Sequence, residues 1–177
     1  VRLYLYVILL FAFITGCRKA APQFDYSDFT HVVKKNKFDL YVPGYLYPDK
    51  KLYKNADLQY SDSLNTTFLL VIREEIPDLS EDSIEITLDE YLAYAQTGIV
   101  ESLDDASGDK DTISRINGVP ALSAELEGAY AGHDVYYRIT VFMNDDYFYQ
   151  VIFWTLKGLK EERETDFLAS TASFKIL

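Results

Sequence analysis

The sequence predicts an α+β domain in which an antiparallel β-sheet is flanked by helices on both faces, an αβα sandwich. Three observations carry the prediction. Two long strand-like segments, 134–143 and 147–156, are separated by the turn Asn144-Asp145-Asp146, and both of their faces are largely apolar. A capping box opens one amphipathic helix in mid-chain. A second helical stretch follows the last long strand, so apolar sheet faces have cover available on two sides.

The elements follow in chain order. Phe29-Thr30-His31-Val32-Val33 and Phe38-Asp39-Leu40-Tyr41-Val42 flank the polar turn 34–37 as a hairpin, and Pro43-Gly44 ends it. In its second strand Phe38, Leu40 and Val42 alternate with Asp39 and Tyr41, which gives one buried face. A further strand covers Asp57 to Ser61. Thr67 to Ile72 is continuously apolar, as expected of a strand covered on both faces. Pro77 and the acidic stretch to Asp82 read as a loop. Thr87-Leu88-Asp89-Glu90 places Thr and Glu three apart, where each satisfies a free backbone donor of the helix start. Behind it Leu88, Tyr91, Leu92, Ala95, Ile99 and Leu103 fall at helical spacing.

The run Asp104-Asp105-Ala106-Ser107-Gly108-Asp109 breaks that pattern and reads as a loop, before strands at about 112–117 and 120–127. In 134–143, Val135, Tyr137, Ile139 and Val141 share one face, and Tyr136, Arg138, Thr140 and Phe142 the other. In 147–156, Tyr149, Val151 and Phe153 oppose Phe148, Ile152, Trp154 and Leu156. A helix over 159–170 sets Phe167 and Leu168 on the sheet, and residues 173–176 close the chain as a short strand. A lipocalin-like barrel is the main rival, but the capped mid-chain helix speaks against it.

Ahead of the domain stand Arg2 and the apolar run Leu3 to Ile14, too short for the roughly 20 residues of a membrane-crossing helix. Length, charge and the small residues that follow fit a secretory signal. Ile14-Thr15-Gly16-Cys17 resembles the lipobox of bacterial lipoproteins. The resemblance implies cleavage before Cys17, diacylglycerol on its sulfur, and an exported protein held in the cell envelope through lipid. The expected division is a signal peptide over 1–16, a lipidated tether over 17–27 and one domain over 28–177. Arg18 and Lys19 stand where an aspartate commonly directs retention in the inner membrane, which points to the outer membrane in a Gram-negative cell. Cys17 is the only cysteine, so no disulfide forms within one chain.

Acidic residues outnumber basic ones 28 to 17, for a net charge of −11. That balance argues against nucleic acid, which is bound by Lys and Arg neutralising phosphates. It also disfavours broad contact with anionic headgroups, leaving the lipid on Cys17 as the expected membrane link.

Three short elements resemble the PsbP-type superfamily, which includes the extrinsic photosystem II protein, the Ran-binding Mog proteins and lipoproteins of the DcrB type. They are Phe38-Asp39-Leu40-Tyr41-Val42-Pro43-Gly44-Tyr45, Ile116-Asn117-Gly118-Val119-Pro120-Ala121, and Tyr147-Phe148-Tyr149-Gln150-Val151 with Phe167 and Ser173-Phe174-Lys175. The resemblance spans about 29–177 and implies a PsbP-like fold and a non-enzymatic accessory or assembly role. It carries no functional residue over, and nothing marks a photosystem partner.

The residues offer little chemistry. His31 and His133 lack close-spaced ligand partners and read as surface histidines. Asp104, Asp105, Asp109 and Asp111 are the weak candidates for calcium; their spacing does not follow the EF-hand, and a solvated acidic loop is the simpler reading. No nucleophile elbow, phosphate loop or cofactor motif appears. Tyr45, Tyr47, Tyr53 and Tyr60 cluster in a polar stretch and could meet a partner or a sugar, or else pack inward. The leading expectation is a non-catalytic binding or assembly factor for another envelope protein. A module for a small ligand, carbohydrate or calcium is the alternative, and a carboxylate-based hydrolase comes third.

Overall fold

The structure, a computed structural model, describes residues 23–76 and 86–177. The expected signal peptide, Cys17 and the loop from Pro77 to Asp82 lie outside the described residues.

Two antiparallel sheets form among the described residues. The smaller contains β1 (Phe29–Lys34), β2 (Phe38–Pro43) and the closing β11 (Lys175–Ile176), in the order β1-β2-β11. The larger is built from β3 (Tyr47–Pro48), β4 (Leu58–Asp62), β5 (Thr67–Glu75), β6 (Asp104–Lys110), β7 (Ser114–Ile116), β8 (Val119–Tyr130), β9 (His133–Met143) and β10 (Tyr147–Leu156). Its order is β3-β4-β5-β10-β9-β8-β6, with β7 continuing beyond β6 along the same edge of β8. Helix α1 (Leu88–Val100) covers one face; α2 (Lys160–Ser173) and the small sheet cover the other.

The alternation read from the sequence sorts residues into two cores. Tyr149, Val151 and Phe153 of β10 and Tyr136 and Phe142 of β9 pack against Phe167, Phe174 and the Phe38-Leu40-Val42 face. Phe153 stacks on Phe167 at 4.5 Å between ring centroids, and Phe174 lies 4.5 Å from Phe142. On the opposite face Phe148, Ile152, Ile139, Val141, Leu122 and Ala124 meet Leu88, Tyr91 and Leu92 of α1. The capping box is present: Thr87 Oγ1 accepts from the Glu90 backbone N–H, and the Thr87 N–H donates to the Glu90 carboxylate at 2.8 Å.

Turns explain the short motifs. Asn117 and Gly118 have φ of 50° and 86°, the left-handed pair that a two-residue hairpin turn needs between β7 and β8. The Asn117 side chain also donates to the carbonyls of Ala172 and Phe174, tying the turn to the end of α2.

Two expectations need correction. Residues Asp104–Lys110 are an edge strand rather than a loop, paired with β8 and bulged between Asp104 and Ser107. Glycine at 108 permits the pairing, since a Cβ there would sit 2.0 Å from the Glu125 carbonyl oxygen. The exposed acids of this strand suit a sheet edge that must resist pairing with another chain. The expected tether is also partly docked: Tyr26 stacks on Tyr41 at 4.7 Å, and its hydroxyl donates to the Ala169 carbonyl at 3.0 Å.

Phe167 is fully buried and stacked between Phe153 and Tyr136. Phe167→Ala is expected to lower unfolding free energy by about 3–5 kcal/mol, read from the urea midpoint.

Candidate functional site

The two faces of the large sheet are covered unequally. Beyond the C-terminal half of α1 the sheet surface opens into a cleft of about 650 Å³. Its floor is Leu70 and Ile72 of β5, Ile152 and Trp154 of β10 and Tyr137 of β9; Ala95 and Ile99 of α1 form a wall. Strand register puts Tyr137, Trp154, Phe68, Ser61 and Tyr47 on one rung of one face. Along it Tyr137 stacks on Trp154 at 5.9 Å and Trp154 on Phe68 at 4.8 Å. The stack fixes the indole at the floor.

At the mouth stand Tyr53, Tyr94 and Tyr130, respectively 45%, 65% and 53% exposed. Three large aromatic side chains held open around one cleft are unusual for residues that gain from burial. Gly98 adds to the opening: it lies on α1 beside the cleft, and an added Cβ would meet nothing within 4 Å.

The polar end is an ordered set of three side chains. The Tyr91 hydroxyl donates to the Glu74 carboxylate, while Gln150 Nε2 donates to the Tyr91 oxygen at 2.8 Å and to Glu74 at 3.2 Å. Gln150 is only 5% exposed. Burial first, then the bond to Glu74, pushes the Tyr91 hydroxyl well above the ordinary phenol range. Phe148 stacks on the Tyr91 ring at 4.0 Å, so packing and hydrogen bonds hold the residue together.

The sequence candidates are dispersed. Of the four tyrosines only Tyr53 reaches the cleft. Tyr45 lies on the α2 face beneath the Arg163 guanidinium, 4.3 Å from its ring, and burial raises its hydroxyl. Tyr60 also packs on that face, whereas Tyr47 is exposed at the sheet edge. Asp104, Asp105 and Asp109 are strung along β6, and Asp111 pairs with Arg138 at 3.3 Å. Among the described residues no three His, Cys, Asp or Glu side chains gather in a metal-holding group. His31 stacks on Tyr41 beside Asp39, and His133 opens β9 opposite Tyr130.

Arg138 is held by a second carboxylate as well. Its guanidinium meets Glu125 at 2.6 Å, and Glu125 and Glu127 both accept from Lys160 of α2. This network fastens α2 to β8 and β9, and Glu125, Glu127 and Lys160 line a separate, smaller pocket of about 350 Å³ beside Ser107, Gly108 and Asp109 of β6. The cleft residues Glu74, Tyr94, Tyr137, Gln150 and Trp154, and Tyr91 behind Glu74 and Gln150, were not singled out as a site by sequence. One signal was there: Gln150 is a lone amide within the apolar strand Tyr147–Leu156.

Tyr91→Phe is expected to cost about 1–3 kcal/mol at neutral pH, because Glu74 and Gln150 lose their shared partner. Burial also raises the Tyr136 hydroxyl to about 12, with the Glu125 charge adding to it. The fold therefore favours the neutral phenols, whereas unfolded tyrosines ionise near pH 10. Stability is expected to be level from neutral pH to about pH 10 and to fall as pH rises through and beyond it, more gently in Tyr91→Phe. Urea midpoints between neutral and alkaline pH check both statements.

Solved structures share this architecture. Cyanobacterial PsbP (CyanoP) from Synechocystis sp. PCC 6803 aligns with a TM-score of 0.63 at 13% identity, covering 92% of this chain and 100% of that one. LpqN from Mycobacterium tuberculosis, described as involved in cell envelope biogenesis, gives 0.58 at 15% identity, covering 83% and 89%. PA94 from Pseudomonas aeruginosa, a protein of unknown function, gives 0.51 at 12% identity, covering 82% and 94%. No family model matches the sequence, and no curated protein matches it. At these identities the likeness concerns architecture, and the chain has a PsbP-like fold.

Proposed function

We propose that this chain is an envelope lipoprotein, anchored through lipid on Cys17, whose domain is a non-catalytic binding factor for another envelope component. The observation that carries the reading is the open cleft beside α1, with an apolar floor and exposed tyrosines at its mouth. A concave, mostly apolar site with a few placed polar groups is the usual form of a binding site. Among the described residues the carboxylates of its lining are Glu74 and Glu101. Glu74 is committed to Tyr91 and Gln150. This lining favours binding over the hydrolase alternative.

The envelope setting draws on the lipobox at Ile14-Thr15-Gly16-Cys17. A structural neighbour described as involved in cell envelope biogenesis supports it. No described helix is long and apolar enough to cross a membrane. In a Gram-negative cell the outer membrane is the proposed address. An envelope protein is the proposed partner; the cleft equally favours a small ligand as what is bound there.

Labelled palmitate is expected to enter the wild-type chain, which sediments with membranes, and not Cys17→Ala, which shifts toward the soluble fraction or retains its leader. Crosslinking in the native membrane is then expected to capture a recurrent envelope component with the anchored form. Equal palmitate labelling of both forms would overturn the anchor, and capture unaffected by filling the cleft through Gly98→Phe would overturn the cleft.

A further inference from the structure

We propose that the cleft binds a small amphipathic amine: an apolar body against the sheet and a protonated amino group at the polar end. The inference rests on the cleft being the binding site and adds the chemical class of its occupant. Size comes first. A cleft of about 650 Å³ lies within the range of small-molecule sites, about 300–1,000 Å³. Leu70, Ile72, Ile152, Ala95 and Ile99 offer an apolar body a continuous surface.

The polar end specifies the head group. Tyr91 gives its only hydroxyl proton to Glu74, and both contacts of Gln150 Nε2 fall within the same trio. The donors are therefore engaged internally. The remaining lone pairs on the Glu74 carboxylate and on Gln150 Oε1 are acceptors, which suit a group rich in N–H donors. A buried amide and a carboxylate aligned this way would repel a carboxylate or phosphate and leave an alcohol only partly matched.

The other end carries the same sign. The C-terminus of α1 presents backbone carbonyls with partial negative charge, its last turn contains no basic residue, and Glu101 caps it. Glu101 lines the cleft, and no described lining residue is Lys, Arg or His. Tyr53, Tyr94 and Tyr130 at the mouth supply aromatic rings that attract cations. Charge, donor count and aromatic content thus agree on a cation with an apolar tail.

Trp154 is the only tryptophan in the chain and sits on the cleft floor, so its emission reports occupancy without a label. The full chain, reconstituted in phosphatidylcholine vesicles, is titrated with hexylamine, hexanol and hexanoate at neutral pH. The expected result is a saturable emission change with hexylamine, at least tenfold weaker binding of hexanoate, and hexanol between them. Gly98→Phe, which fills the cleft where a side chain has room, should weaken hexylamine at least tenfold while leaving the circular dichroism spectrum unchanged. Glu74→Gln should weaken hexylamine and spare hexanol; if it misfolds, Gly98→Phe still decides whether binding is in the cleft.

In a second arm, vesicles doped with stearylamine replace the free amine. Response to hexylamine alone assigns a soluble amine, and response to both assigns a membrane-borne one; either supports the proposal. Hexanoate binding as tightly as hexylamine, or no saturable response to any probe, would overturn it. If Gly98→Phe still abolishes crosslinked capture in that case, the binding-factor reading stands and only the amine fails.

Discussion

The fold depends on covering both faces of β9 and β10. These strands sit at the centre of the large sheet, and their alternation leaves hydrophobic side chains on each side. Val151 and Phe153 demand one cover, Ile152 and Phe148 another. At about 25 cal/mol per Å² of apolar surface, leaving either face wet would cost more than such a domain can spare. Every later feature follows from how the two covers are built. On one side α2 and the small sheet close over Phe153 and Phe174 almost completely. On the other, among the described residues, the 13-residue α1 is the main cover and shields only part of the face.

That inequality produces the site. Tyr91 and Leu92 anchor the first half of α1 over Phe148 and Val141, and the Thr87–Glu90 box fixes where the helix begins. The second half, with Ala95, Gly98 and Ile99, runs along the cleft instead of sealing it. Gly98 is telling, since glycine within a helix interior costs about 0.5–1 kcal/mol relative to alanine, and no steric crowding here requires it. Gln150 and Glu74 likewise place polar groups among apolar strands and need Tyr91 to complete their bonds. An apolar core would have been simpler. Features that weaken packing yet define a shaped, polar-ended space are those expected at a functional site.

The sequence was legible where a period or cap speaks locally. Alternation in 134–143 and 147–156 assigned each side chain to its face, and Thr87 with Glu90 marked the start of α1. Asn117-Gly118 declared its turn through the conformation it needs. The edge strand β6 was illegible, because Asp, Ser and Gly read as loop formers, and only tertiary pairing with β8 extends them. The tyrosine cluster divides for a related reason. Closeness in sequence says nothing about which side of a sheet a residue takes, so Tyr45 and Tyr60 went to one core and Tyr53 to the other side. The cleft draws on β5, α1, β8, β9 and β10, and no local pattern joins residues so far apart.

The proposed binding surface is the face left open by α1. A photoreactive amino acid placed at Tyr94, on the cleft rim, and separately at Glu161, on α2, tests this directly in the native membrane, with adduct masses read by mass spectrometry. A discrete, recurrent adduct from position 94 and only background from position 161 are expected. A recurrent adduct from position 161 with none from position 94 would contradict this placement and move the functional surface to the opposite face of the sheet.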